Sequence, residues 1–199
     1  MKVEIEAKFL DIDVEKIRGK LKEIGAVQKH PERLMKRKNF DFSDFRLEKN
    51  GGWVRVRDEG DKITLSYKQL NERSLHGTKE VTVEIDNFDN TCLFLQAIGL
   101  KNYSYQETKR ESWDFDGTEI EIDTWPWVPS FVEIEGKSEE SVRMASKMLG
   151  LDWQKALFGS VEIVYQSYYN VTEEEVDSWE EMKFGPVLEW LRGRKLKNN

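Results

Sequence analysis

The sequence predicts an α+β fold built on an antiparallel sheet with one polar and one apolar face. Three observations predict it. Several segments alternate strictly between apolar and polar residues, as half-buried strands do. Pairs of these segments are joined by short glycine turns, Glu59-Gly60-Asp61 and Asp116-Gly117, which makes them hairpins. The helical segments carry one apolar stripe each and stop at glycines, so each covers one surface.

Val3 to Phe9 opens the sheet. Val3, Ile5, Ala7 and Phe9 point one way, and Glu4, Glu6 and Lys8 the other. A helix follows from Asp13 to Ile24, with Val14, Ile17, Leu21 and Ile24 on its stripe and Gly25 as its stop. Leu34 to Phe42 reads as a second strand, and its run Met35-Lys36-Arg37-Lys38 reads as a solvated edge. Trp53 to Arg57 and Lys62 to Lys68 form the first hairpin. A two-residue Gly60-Asp61 turn sets Arg57 opposite Thr64, Arg55 opposite Ser66 and Trp53 opposite Lys68. Arg55, Arg57, Thr64, Ser66 and Lys68 then share one face.

After a loop over 69–78, Glu80 to Ile85 alternates again, with Glu80, Thr82 and Glu84 on the polar side. A helix runs from about Asn90 to Ile98, with Cys92 in its apolar run as a core residue. Tyr105 to Phe115 and Thr118 to Thr124 form the second hairpin, which sets Arg110 opposite Asp123 and Ser112 opposite Glu121. Trp125-Pro126-Trp127-Val128-Pro129 interrupts the sheet, because prolines cannot sit in a central strand. Phe131 to Gly136 is the last strand, with Glu133 and Glu135 on its polar side. Ser138 to Leu149 is a helix, and Ser160 to Tyr169 is helical and rich in tyrosine. Residues 1–169 thus form one domain. Residues 170–199 read as an appended helical tail, with a capping box at Ser178-x-x-Glu181 and a solvated basic end from Arg192 to Lys197.

Bulk properties exclude several classes. The 199 residues are enough to bury a core, and 12% aromatics are too many for a disordered chain. A net charge of -7 argues against a general nucleic-acid or anionic-membrane binder. The single cysteine excludes a disulfide framework and a cysteine zinc site. No signal peptide and no spanning apolar run are visible, so the expectation is a cytoplasmic protein.

The polar faces together hold acids and bases grouped by strand. Two arrangements satisfy the pattern. An open sheet would face water on one side. A closed barrel would turn the charges inward, where they must be paired or bridged by ions and a charged ligand. In the closed case, clustered carboxylates suit magnesium or manganese, and arginine and lysine opposite them suit polyphosphate. No glycine-rich phosphate loop is present, which excludes a P-loop enzyme.

These residues resemble the CYTH superfamily, the triphosphate tunnel metalloenzymes, which includes class IV adenylate cyclases, thiamine triphosphatases and inorganic triphosphatases. Glu4-x-Glu6-x-Lys8 is similar to that family's E-x-E-x-K signature, and Arg55-x-Arg57, Lys68, Glu84, Arg110, Asp123 and Glu133-x-Glu135 follow in order. The resemblance implies an eight-stranded antiparallel closed β-barrel, a triphosphate tunnel, with helices packed outside. It implies Glu4, Glu6, Glu133 and Glu135 as metal ligands, joined by Glu84 and Asp123, with Mg2+ or Mn2+ as cofactor. Lys8, Arg55, Arg57, Lys68 and Arg110 would bind the triphosphate, with Lys8, Arg57 and Lys68 in catalytic roles. Some members carry a basic residue two before Arg110; here that place is Thr108, and Lys109 should point to the other face.

The activity implied is metal-dependent hydrolysis of an inorganic, nucleoside or thiamine triphosphate. A class IV adenylate cyclase making cyclic AMP, or a non-catalytic polyphosphate-binding module, stand as alternatives. The expected partner is a small-molecule triphosphate (tripolyphosphate, ATP or thiamine triphosphate), with neither nucleic acid nor membrane, and with a homodimer left open.

Overall fold

A computed structural model describes residues 1–196. Lys197, the last residue of the expected basic end, lies outside the described residues. The sheet begins with β1 (Lys2–Val3) and β2 (Ile5–Phe9), two pieces of one N-terminal strand divided at Glu4. It continues through β3 (Val27–Phe42), β4 (Gly52–Asp58), β5 (Ile63–Leu70), β6 (Thr78–Ile85), β7 (Leu100–Phe115), β8 (Thr118–Thr124) and β9 (Phe131–Gly136). The hydrogen-bonded order is β1-β6-β5-β4-β3-β7-β8-β9-β2.

That order closes the sheet, because its two ends are one strand. β1 pairs with β6 through Lys2↔Glu80 and Val3↔Lys79, and the Glu4 amide donates to the Thr78 carbonyl at 2.9 Å. β2 pairs with β9 from Ile5↔Gly136 to Phe9↔Val132. The expected antiparallel barrel is therefore present. Its strand segments number ten among the described residues rather than eight. The N-terminal strand is split, and β10 (Glu181–Met182) adds a short parallel pairing to β7.

Both hairpins take the registers that their turns dictate. Arg57 faces Thr64, Arg55 faces Ser66 and Trp53 faces Lys68. Arg110 faces Asp123 and Ser112 faces Glu121. At the second turn both central residues have positive φ, Asp116 at 51° and Gly117 at 75°, the geometry that suits the twist of the flanking strands. β3 runs 16 residues, seven more than expected toward its N-terminus. Pro31 and register shifts between Gln28 and Arg33 break its alternation and hide the extra length from a period-two reading.

The apolar faces point outward beneath the helices. α1 (Val14–Glu23) is capped by Asp13, and α3 (Glu139–Met148) by Ser138. Their Ile17, Leu21, Val142 and Ala145 pack on Ala7, Phe9, Ile120, Ile122, Val132 and Ile134. α2 (Phe88–Ala97) lays Cys92 and Leu95 against Phe40, Val56 and Leu100. One outward acid is buried: Glu111 accepts from Arg18 of α1, from Gln28 and from the Trp113 indole, so it pins α1 to the sheet.

α4 (Glu162–Tyr168), α5 (Glu173–Asp177) and α6 (Glu189–Arg192) complete the chain. The segment from 170 is only partly helical, and it is fastened to the barrel. Val171, Val176, Met182 and Leu191 share one buried cluster with Trp125, Val128, Phe131 and Tyr165. Ser104 donates to the Trp179 carbonyl at 3.0 Å, and the Leu196 amide to the Tyr168 carbonyl at 2.9 Å. The capping box expected at Ser178 is absent there; Thr172 and Glu175 form one at the start of α5 instead, and Ser178 ends that helix. The acid at 181 is in β10, so no helix follows Ser178 for it to cap. Arg192 and Arg194 are exposed, as expected, although Arg194 pairs with Glu175 at 2.5 Å. Among the described residues no helix is long and apolar enough to cross a membrane.

Ending the chain at Tyr169 should uncover the Trp125 cluster. Four buried side chains at about 1.5–3 kcal/mol each give an expected loss of roughly 6–12 kcal/mol. Urea denaturation of the truncated chain measures it; an unchanged midpoint would mean that the segment is dispensable to the fold.

Candidate active site

The barrel encloses a cavity of about 800 Å³. Its walls follow from the strand order. Counting β1 and β2 as one strand, β3 lies four strands away in either direction, and β4 lies four from β9. The N-terminal strand therefore faces β3 across the barrel, and β9 faces β4.

The acidic wall is formed by Glu4 and Glu6 of the N-terminal strand, Glu133 and Glu135 of β9, and Glu80 of β6. Glu6 and Glu135 are direct cross-strand neighbours, as are Lys8 and Glu133. The basic wall is formed by Arg55 and Arg57 of β4 with Arg37 of β3. Arg110 and Asp123 lie between the walls, on β7 and β8. Ten of the eleven residues singled out in the sequence thus line one cavity. Glu84 does not: it is exposed on β6 and outside the cavity lining. It shares a strand face with Glu80, but it sits four residues nearer the rim, and Glu80 is the β6 acid that reaches the basic groups.

Most interior cations are held by acids. Lys8 bridges Glu6 at 3.1 Å and Glu133 at 3.0 Å. Lys68 contacts Glu4 at 3.0 Å and Glu80 at 3.3 Å. Arg110 grips Asp123 with two bonds of 2.6 and 2.5 Å and reaches Glu133 at 3.2 Å. Arg57 bonds Glu59 at 2.6 Å, and Lys2 bonds Glu135 at 3.1 Å. Burial opposes the charge on Lys8, but Glu133 and Glu6 hold its ammonium above the ordinary range. Against the same opposition, Asp123, Glu121 and Glu133 raise Arg110 well above its own.

The carboxylates respond to crowding. Burial first, and a hydrogen bond with Glu80 second, push Glu4 up to about 8. Against the upward push of burial, Glu4, Lys68 and Arg55 hold Glu80 below the ordinary carboxylate range. Glu135 is raised by burial, with Glu119 and Glu6 adding repulsion. Among the described residues no three acid, histidine or cysteine side chains converge as a ready metal cluster. The Lys8 ammonium occupies the place between Glu6 and Glu133, bonded to both.

Arg37 is a cavity-lining cation that the sequence reading passes over. Its basic run looked like a solvated edge, yet only Lys36 and Lys38 face outward, while Met35, Arg37 and Asn39 are buried. The alternation Met35-x-Arg37-x-Asn39-x-Asp41 was the available signal. Thr108, where this chain has no basic group, accepts a hydrogen bond from Arg37 at 2.8 Å. Lys109 points outward, as expected, toward Glu32 and the Phe184 ring.

The end of the cavity near Trp53 and Tyr103 is acidic. Glu48, from the turn before β4, lines it together with Glu162 of α4 and Glu173 and Asp177 of α5. These residues lie partly in the segment read as an appended tail.

The CYTH domain family matches residues 2–174. The chain belongs to the CYTH family. Among solved structures, a conserved hypothetical protein from Pyrococcus furiosus is 22% identical, with a TM-score of 0.63 over 77% of this chain and 94% of that one. A candidate adenylate cyclase from Vibrio parahaemolyticus is 12% identical, with a TM-score of 0.73 over 83% of this chain and 98% of that one. A candidate adenylyl cyclase from Hippeastrum with a dominant triphosphatase activity is 16% identical, with a TM-score of 0.55 over 84% and 96%. At these identities the likeness is one of fold. No curated protein matches the CYTH chain described here.

The acidic end makes a pH prediction. Burial and the neighbouring Glu162 push Asp177 up to about 8, from an unfolded value of 3.8. Between those values the folded chain holds a proton that the unfolded chain has lost. This contribution to stability is full below about 3.8 and disappears as pH rises toward 8. Urea midpoints at pH 5, 6.5 and 8 should fall with pH, and Asp177→Asn should flatten that fall. A slope unchanged in the variant would count against the assignment.

Proposed function

We propose that this CYTH protein is a metal-dependent enzyme that hydrolyses a triphosphate. The observation that carries the reading is the pair of opposed walls in one closed cavity, carboxylates on one and guanidinium groups on the other. A polyphosphate between them meets cations on one side and metal-binding oxygens on the other, and positioning with charge neutralisation supplies most of the catalysis in such transfers.

The donor set fits a divalent cation. Glu4, Glu6, Glu133 and Glu135 offer only carboxylate oxygens, which suit Mg2+ or Mn2+. The raised Glu4 and Glu135 show carboxylates that burial and repulsion disfavour as anions, and a cation would relieve both. These four residues would hold the metal, with Asp123 beside them. When bound, the metal would polarise phosphoryl oxygens and position a water. Lys8, fixed by two carboxylates, presents a fully charged ammonium to the substrate. Arg55 and Arg57 bind phosphoryl oxygens from the opposite wall, and Arg110 and Lys68 hold the chain of phosphates between them.

A cyclase is the second reading, and one observation favours keeping it. The cavity lies high in the range of about 300–1,000 Å³ that encloses drug-sized ligands. It has aromatic lining at Trp53 and Tyr103, so an organic group attached to the triphosphate has a place to lie. A non-catalytic binding module is less well supported, because both acidic pairs face the cavity.

Incubation with tripolyphosphate, ATP and thiamine triphosphate plus Mg2+ or Mn2+, followed by phosphorus NMR, separates the readings. Orthophosphate means a hydrolase, pyrophosphate with cyclic AMP means a cyclase, and no turnover of any of the three overturns both. Glu4→Gln and Glu135→Gln should lose activity while remaining folded, since glutamine imitates the neutral form that burial favours. Arg57→Ala should lower turnover about 100- to 1,000-fold, the usual cost of one electrostatic contact to the reacting group.

A further inference from the structure

Among the described residues, Arg37 is an interior cation that no acid side chain bonds. It is 6% exposed, and its Nε has no hydrogen-bond partner among the described residues. Thr108 Oγ1 accepts from Nη2, and the guanidinium lies over the Trp125 ring, 4.7 Å from its centroid. Its nearby charges are Arg55, Arg57, Arg110 and Asp123, and Asp123 is already held by both bonds from Arg110. Burial first, then the three arginines, press its guanidinium well below the ordinary range.

A buried, unpaired charge is a cost to the fold that a hydrophobic residue of similar volume avoids. The surroundings nonetheless fix this one in place. Trp125 supports one face of the plane, Thr108 holds one nitrogen, and the Nε side is left without a protein partner. That is a fork oriented for an oxyanion. The strand of Arg37 stands across the barrel from the one that carries Glu4, Glu6 and Lys8, and all four residues line the same cavity.

We propose that Arg37 is a phosphate-binding residue, positioned by Thr108 and Trp125, that grips a phosphoryl group of the substrate from the wall opposite the N-terminal carboxylates. The assignment rests on the triphosphate reading above. It makes the charge at Arg37 costly in the empty protein and useful only when an anion is bound, so stability and affinity should respond in opposite directions to its removal.

The test uses the full chain, with inorganic tripolyphosphate as the probe, titrated by calorimetry with and without Mg2+. Arg37→Met keeps an unbranched apolar stem as far as the position of Nε but removes the guanidinium, its charge and its stacking on Trp125. It should melt at the same temperature as the wild type or higher without ligand, and bind tripolyphosphate about 10- to 100-fold more weakly, the range for one charged hydrogen-bonding group. Arg37→Lys should fall between the two. Thr108→Val leaves the charge but frees its direction, and should weaken binding about 3- to 10-fold. A stem that only supports the Trp125 cluster would give the reverse pattern, a lower melting temperature with unchanged affinity, and would overturn the proposal. If Arg37→Met does not fold, wild-type affinity in both Arg37→Lys and Thr108→Val overturns it. A wild type that does not bind tripolyphosphate under either condition overturns this assignment and the triphosphate reading together; binding that survives all three substitutions overturns the assignment alone.

Discussion

The N-terminal strand is hydrogen-bonded on both of its edges, and the rest of the structure depends on that. Lys2 and Val3 pair with β6, while Ile5 to Phe9 pair with β9. The division at Glu4 lets one strand serve both neighbours. Without it the sheet would be open, its polar face would be wet, and Glu4, Glu6 and Lys8 would be ordinary surface charges. With it those same side chains are enclosed, and every interior charge must find a partner or carry a cost.

The pairing pattern inside the barrel follows from this enclosure. Lys8, Lys68 and Arg110 are each held by a carboxylate from a neighbouring strand, so their positions are set before any substrate arrives. Arg55 has only Glu80 at 3.4 Å, and burial with the repulsion of Arg57 presses it down to about 10. Arg37 has no acid partner among the described residues. On the basic wall, then, Arg57 is held by Glu59, Arg55 only weakly by Glu80, and of these Arg37 alone is left without an acid. A polyanion bridging the two walls would complete the neutralisation.

The outer shell serves the inner one. α1 and α3 cover the strands that carry the acids, and Glu111 anchors α1 through Arg18. The C-terminal segment packs around Trp125, the residue on which Arg37 rests, and lends Glu173 and Asp177 to one end of the cavity. Its contribution could not be read from its acidic and basic runs, because those runs report local charge and say nothing of where a segment docks. Both hairpin registers were legible, since a two-residue turn with glycine at the required position leaves one pairing. The length of β3 was not, because Pro31 and its bulges erase the alternation that a strand is recognised by.

The sequence by itself determined which residues lie on the polar face of each strand. Side-chain direction in a strand is a local, two-residue property, so Glu4, Glu6, Lys8, Arg55, Arg57, Arg110 and Glu133 could be grouped before any contact was known. Only the tertiary structure decided how high along the barrel each residue sits and what faces it. Those depend on inter-strand stagger and closure, which no single segment encodes. That is why Glu84 fell outside the cavity while Glu80 entered it, and why Arg37, one of three consecutive basic residues, turned out to be the one enclosed.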